Sequence, residues 1–319
     1  MIPFVFLVGS GRSGTTLYRN ILDSHTELAI THEAHVVAPL VRRRKRYEGA
    51  EFAVDRFIAD LYGNPNFRRQ DLDRPMVAEA VAAAAPTTVP DAVRAVFAAY
   101  AAAAGKTRYG DKTPGYVTSI APLAAAFPES RFVHIIRDGR DVALGYLDRD
   151  EWGPSTVADA GFYWVSRVGR GREAGAALGS RRYLETRYED LVRDPEPEVR
   201  RLCDFLDLEY QSHMLRFHEQ GAAFIAGTRH PDAFTGLAQP ITRGMRDWRT
   251  QMAADDVLLF EAIAGDLLDH LGYECTGVPT PVSVRLEVAR ARFGWERQRL
   301  ASRLQPLAAR VRKVAGARP

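Results

Sequence analysis

The sequence predicts an α/β fold of three layers, with a central parallel sheet, a helical insertion and a C-terminal helical tail. Three observations carry this reading. A continuous apolar run, Phe4 to Val8 (FVFLV), passes through a glycine-rich turn into Leu17, Ile21 and Leu22 at helical spacing. Strand, loop and helix in that order open a parallel sheet. A second buried run, Arg131 to Ile136 (RFVHII), leads again into a helical pattern, Asp138 to Leu147. Between them, residues 51–104 carry amphipathic and Ala-rich stretches that suit helices and not strands.

Taken in order, Glu27 to Thr31, Thr107 to Tyr109 and Arg182 to Thr186 supply three further short strands. Ala34 to Arg46 reads as one helix whose last turn is cationic, as its dipole prefers. Phe52, Phe57, Ile58 and Leu61 form an apolar stripe. Ala78 to Ala85 ends before Pro86, and another helix covers Asp91 to Ala104. Residues of about 36–105 therefore form the insertion. Helices are expected at Ser155–Leu178, Glu198–Leu206 and Val257–Leu271, and a long Gly-, Pro- and Thr-rich loop at Gly221–Arg246. Pro279 and Pro281 separate a domain, 1–279, from a tail, 280–319.

Composition bounds the partners. The net charge over 319 residues is +3. From Thr280 onward ten Arg or Lys face two Glu, a net of +8, which leaves −5 for the rest. The basicity belongs to the tail, so the domain is not expected to hold nucleic acid. In the tail, Val288, Ala291 and Trp295 share a face, and Leu304, Leu307, Ala308 and Val311 continue it around an expected break at Pro306. Such a helix can dock on the acidic body, on a second subunit or on an anionic membrane surface. Two cysteines, Cys203 and Cys275, lie outside any zinc spacing, and no stretch nears the ~18 apolar residues of a membrane span. Met1-Ile2-Pro3 lacks the charged start of a signal peptide. A cytoplasmic, reducing location is expected.

The sharpest signal is Gly9-Ser10-Gly11-Arg12-Ser13-Gly14-Thr15-Thr16, between strand and helix. Its amides, the helix N-terminus and the hydroxyls of Thr15 and Thr16 suit a phosphate-like anion. The glycine spacing matches a Walker A loop, GxxxxGK(S/T), but Thr15 stands at the lysine. The strand at Val133–Ile136 ends in Arg137, not in a magnesium-holding acid. The loop is therefore P-loop-like but poorly equipped for Mg-NTP.

Arg12-Ser13-Gly14-Thr15-Thr16 resembles the RSGTT loop of sulfotransferases that use 3′-phosphoadenosine-5′-phosphosulfate (PAPS). The downstream LYRNILDSH, Leu17 to His25, is similar to the protein-tyrosine sulfotransferase branch and its bacterial relatives. The resemblance implies that Gly11, Arg12, Ser13, Gly14, Thr15 and Thr16 bind the 5′-phosphosulfate. It implies a 3′-phosphate site at Arg137, whose planar fork suits a phosphate, with a serine eight residues on. Here that position is Gly145, a departure that removes one hydroxyl. Tyr188, in Arg187-Tyr188-Glu189-Asp190-Leu191, lies near the adenine or caps the core. Arg243 and Gly244, in ITRGMRDW, close over the 3′-phosphate or form a charged loop.

The implied reaction is metal-free sulfuryl transfer to a hydroxyl, releasing PAP. Arg12 comes first for stabilising the transferring group, and Lys112, in Gly110-Asp111-Lys112-Thr113-Pro114, second. The resemblance places the catalytic base at Glu33, its pKa raised in a partly dry cleft. His32 and His35 compete for that role. Small-molecule, lipid and sugar hydroxyls are the expected acceptors. A P-loop small-molecule kinase and a non-catalytic nucleotide-binding protein are the alternatives.

Overall fold

The structure is a computed structural model that describes residues 2–148, 153–219, 240–242 and 246–315, with 302–315 as backbone only. The chain divides into two compact units, residues 1–137 with 167–245, and 138–166 with 246–319.

The first unit is built on five parallel strands: β1 (Val5–Gly9), β2 (Leu28–His32), β3 (Arg108–Lys112), β4 (Arg131–Ile136) and β5 (Tyr183–Arg187). Their order is β2-β3-β1-β4-β5. Successive side chains of a strand point to opposite faces, and β1 divides accordingly. Val5 and Leu7 join one core with α1 (Thr15–Asp23) through Tyr18, Ile21 and Leu22. Phe4, Phe6 and Val8 join the other. That second core is aromatic at its centre, with Phe4 and Phe6 stacked at 4.4 Å and Phe6 and Phe132 at 5.1 Å.

A layer of helices covers this aromatic face. Its helices are α2 (Val37–Arg42), α3 (Val54–Gly63), α4 (Pro65–Arg68), α5 (Arg74–Ala83) and α6 (Val89–Ala103). Thr88 and Asp91 form a capping box that starts α6, and Phe97 of α6 packs 4.8 Å from Phe4. A further helix, α7 (Ile120–Ala126), adds Ile120 and Leu123 to the same core. Helices α10 (Tyr188–Arg193) and α11 (Pro195–Leu206) join α1 on the opposite face through Leu191, Val199 and Leu202. Cys203 lies in that core, and burial pushes its thiol up to about 11.

The second unit holds α8 (Gly139–Leu147), α12 (Trp248–Gln251), α13 (Ala254–His270) and α14 (Val282–Ala315). The long α9 (Val157–Ala176) contributes its first half, including the buried Trp164, whose ring lies 6.1 Å from Phe260 of α13. Arg140 is fully buried here. It bonds to Asp138 and Glu261, donates to the carbonyl of Glu274, and lies 3.6 Å from the Trp248 ring centroid.

Three expectations are corrected. Ala34 to Arg46 is not one helix: Glu33 and His35 adopt left-handed φ of 51° and 52°, which a helix cannot contain, so α2 starts only at Val37. Strand β3 runs three residues further than expected from Thr107–Tyr109 and takes in Gly110, Asp111 and Lys112. The α14 backbone continues through Pro306 to Ala315, where a break was expected. Most of the loop expected at 221–246 lies outside the described residues.

Candidate active site

In this sheet the chain leaves β1 to one side for β2 and β3 and to the other for β4 and β5. Such a switch point opens a crevice at the carboxyl ends of the strands. Five predicted segments leave from those ends: the loop after β1, Glu33 after β2, Lys112 at the end of β3, Arg137 after β4 and Tyr188 after β5.

The loop after β1 turns tightly. Gly9 faces β4 so closely that a Cβ would meet the Ile135 carbonyl oxygen at 2.5 Å. Arg12 has φ 68° and Gly14 φ 85°. Gly14 is also pressed by Tyr188, whose ring would lie 2.3 Å from an added Cβ. Only glycine satisfies both constraints at once. Gly14 is the N-cap of α1, and no side chain caps that end. The hydroxyls of Ser10 and Ser13 are buried and have no hydrogen-bond partner among the described residues. Buried hydroxyls normally have one, so loop, helix end and hydroxyls together fit a phosphate- or sulfate-like anion. Gly11 and Thr15 are buried in the same loop, and Thr16 is half-buried.

Lys112 joins this loop to the predicted base. Its side chain is fully buried. Its Nζ donates to Glu33 Oε1 at 2.7 Å and to Thr16 Oγ1 at 3.2 Å. The third ammonium hydrogen has no partner among the described residues. The sheet register sets this geometry. His32 pairs with Lys112, and the Glu33 amide donates to the Lys112 carbonyl at 2.8 Å, extending the ladder one residue past β2. Beneath them Asp111 is buried, accepting from Thr31 Oγ1 at 2.7 Å and Thr113 Oγ1 at 3.0 Å. Burial pushes its carboxyl up.

Burial would raise the Glu33 pKa, but bonds from His35 and Lys112 and the Lys112 charge outweigh it and hold the carboxyl well below the usual range. The expectation of a raised value is thus corrected: the carboxylate is held ionised by His35 and Lys112 together. Burial lowers Lys112, with Glu33 acting in the opposite sense. His32 is lowered to about 3 by burial and then by Lys112, and is neutral at physiological pH. His35 Nε2 lies 3.4 Å from Glu33 Oε2.

The insertion positions this segment through two residues that sequence reasoning missed. Gln70, in the turn after α4, accepts from the His32 amide at 3.1 Å and donates to the His32 carbonyl at 2.9 Å. It thereby caps the free edge of β2. Asn64 caps α4 and donates to the His35 carbonyl at 3.3 Å. Neither residue belongs to a motif.

The other predicted residues fall as follows. Arg137 is buried directly after β4, its guanidinium carbon 4.3 Å from the Tyr188 ring centroid. Tyr188 therefore packs between Gly14 and Arg137. Asp138 caps α8 and pairs with Arg140, and Asp141 accepts from the Trp248 amide at 2.9 Å. Gly145 lies buried in α8 of the second unit. Arg243 and Gly244 lie outside the described residues. Among the described residues no His, Cys, Asp or Glu cluster could hold a metal ion, and no helix is long and apolar enough to cross a membrane.

A family model described as "Sulfotransferase family" matches residues 3–212, a span that contains all five strand ends. The chain belongs to the sulfotransferase family. Among its relatives, protein-tyrosine sulfotransferase A of Caenorhabditis elegans is 25% identical over 87% of this chain and 69% of that protein. Nodulation protein NoeE of Sinorhizobium fredii is 24% identical over 86% of this chain and 67% of that protein. Two solved sulfotransferase domains share the fold. The one from the curacin biosynthetic pathway has a TM-score of 0.58 and 20% identity, covering 86% of this chain and 99% of that one. The one from the Synechococcus PCC 7002 olefin synthase has a TM-score of 0.59 and 22% identity, covering 87% and 96%. As a sulfotransferase, the chain performs sulfuryl transfer.

Proposed function

We propose that this sulfotransferase uses PAPS as donor and a hydroxyl as acceptor, by in-line displacement at the switch-point crevice. The observation that carries the reading is the buried Lys112 ammonium, shared between Thr16 of the anion loop and the Glu33 carboxylate. One cation thus ties a donor-binding loop to a proton acceptor. A hydroxyl acceptor is also consistent with a relative named for tyrosine.

PAPS supplies a sulfuryl group already bonded to a phosphate leaving group. The chain's residues do the rest. Ser10, Ser13, the loop amides and Arg12 hold the 5′ end. Arg137 takes the 3′-phosphate, a reading supported by its stacking on Tyr188. Glu33 accepts the acceptor's proton as its oxygen bonds to sulfur. The S–O bond to the 5′-phosphate breaks, and Lys112 and Arg12 stabilise the charge left on that oxygen. His32, neutral and clamped by its backbone, orients the segment.

Two measurements test this. PAP should raise the melting temperature and Mg-ATP should not, because only a ligand of the native site stabilises it by mass action. Label from PAPS should then appear on a hydroxyl compound from a cell extract. Equal stabilisation by Mg-ATP would favour a kinase, and PAP binding without any transfer would favour a non-catalytic protein.

A further inference from the structure

The tail helix α14 has two apolar faces, and only one of them is used within its own unit. Val284, Val288, Ala291 and Trp295 recur at four, seven and eleven residues and are buried or half-buried. Trp295 stacks on Phe162 at 6.1 Å and meets Tyr163 edge-on at 6.5 Å. This face fastens the helix down. On the opposite side Val282, Leu286, Phe293 and Leu300 stand 70%, 55%, 69% and 59% exposed. These are the large apolar side chains that a soluble surface ordinarily hides.

The residues along the stripe's edges say what it meets. Leu286, Phe293 and Leu300 repeat every seven residues. Arg285, Arg292 and Arg299 precede each of them by one residue, and Arg290 and Arg297 follow the first two by four. All five arginines lie in exposed positions. A second copy of the chain would fit such a stripe badly. The positions beside a heptad seam face each other across a coiled coil, and here they would set Arg against Arg in either orientation. The inner seam position that needs an apolar residue holds Glu296. An anionic bilayer has the complementary character: apolar depth for Leu286, Phe293 and Leu300, and headgroup charge for both arginine edges.

We propose that the outer face of α14 is a membrane-surface docking site for anionic phospholipid, lying in the headgroup plane and holding the enzyme at the bilayer.

The test is co-sedimentation of the full chain with vesicles of phosphatidylcholine alone and of equal parts phosphatidylcholine and phosphatidylglycerol. We expect binding to the anionic vesicles at least ~10-fold tighter than to the neutral ones, and weakened by salt. Leu286→Asp with Phe293→Asp should lower it at least ~10-fold, since the stripe is what enters the bilayer. Both residues are exposed, so the melting temperature should hold. Should this double variant unfold, Arg290→Gln with Arg297→Gln gives the same reading through charge alone, losing anionic-vesicle binding with the fold intact. The proposal is overturned if the wild type ignores anionic vesicles, or if folded variants bind them as well as it does. It is equally overturned if sedimentation velocity shows a wild-type dimer that the aspartate variant dissolves, which would assign the stripe to a second copy.

Discussion

Lys112 in the first unit and Arg140 in the second are both fully buried cations, yet their surroundings differ in kind. Arg140 is saturated, with two carboxylates, a carbonyl and an aromatic face around its planar fork. Burial disfavours its charge, but Asp138 and Glu261 outweigh that and raise its pKa. Lys112 has one carboxylate, itself 35% exposed, and one hydroxyl, and burial wins: its pKa is lowered. A buried charge costs stability unless fully compensated. The compensated cation holds a fold together, whereas the undercompensated one stands ready to bond something that arrives.

The comparison is broken most sharply through the partner of Lys112. Glu33→Gln keeps the shape and should keep PAP binding, yet removes the proposed base. We expect turnover to fall ~10²–10⁴-fold. A Glu33→Gln variant retaining more than about a tenth of wild-type turnover would take the residue out of that role. Its titration sharpens the point. Glu33 is depressed, so its ionised form contributes stability that is fully present above the unfolded value and is lost as pH falls through the lower folded one. The gap in melting temperature between wild type and Glu33→Gln should be constant from about pH 7 to pH 5 and close only in stronger acid.

The two cations can next be exchanged for methionine. Lys112→Met should cost ~10²–10³-fold in turnover, the scale of one transition-state donor. It should cost little stability, because Glu33 can turn to water. Arg140→Met strands Asp138 and Glu261 in the interior and should cost about 3–5 kcal/mol of stability, read as the denaturant midpoint. If Lys112→Met unfolds the chain while Arg140→Met only slows it, the roles are the reverse of those argued.

How far the sequence reached follows from the same contrast. Strand positions and the anion loop were legible because glycine and apolar runs report local backbone needs: Gly14 must take φ 85° beneath a tyrosine ring. Lys112 was legible as a candidate, but its burial was not, since a strand that runs three residues past Tyr109 through Asp111 and Lys112 cannot be read from periodicity. The depressed Glu33 was misjudged because it is held down by contacts that periodicity does not report: a bond from His35, and the charge and bond of Lys112, 79 positions away in sequence. The helix expected over Ala34–Arg46 failed for a related reason, because two left-handed residues before α2 depend on contacts with the insertion.

Those contacts yield the smallest predicted effect. Gln70 touches neither the loop nor the predicted catalytic carboxylate. Its amide brackets the His32 backbone at 3.1 and 2.9 Å, supplying to the edge of β2 the donor and acceptor a sixth strand would have offered. Gln70→Ala hands both groups to water, and the turn bearing Glu33 loses a fixed edge while Lys112 still holds its carboxylate. A misplaced base slows chemistry more than it weakens donor binding. We therefore expect kcat to fall about tenfold, PAP affinity to stay within about twofold, and the melting temperature to drop by a few degrees, consistent with the roughly 1 kcal/mol of a net hydrogen bond. Gln70→Glu keeps the acceptor but loses the donor, and should sit between wild type and alanine. If Gln70→Ala lowers PAP affinity as much as kcat, Gln70 supports the whole crevice and not the base alone.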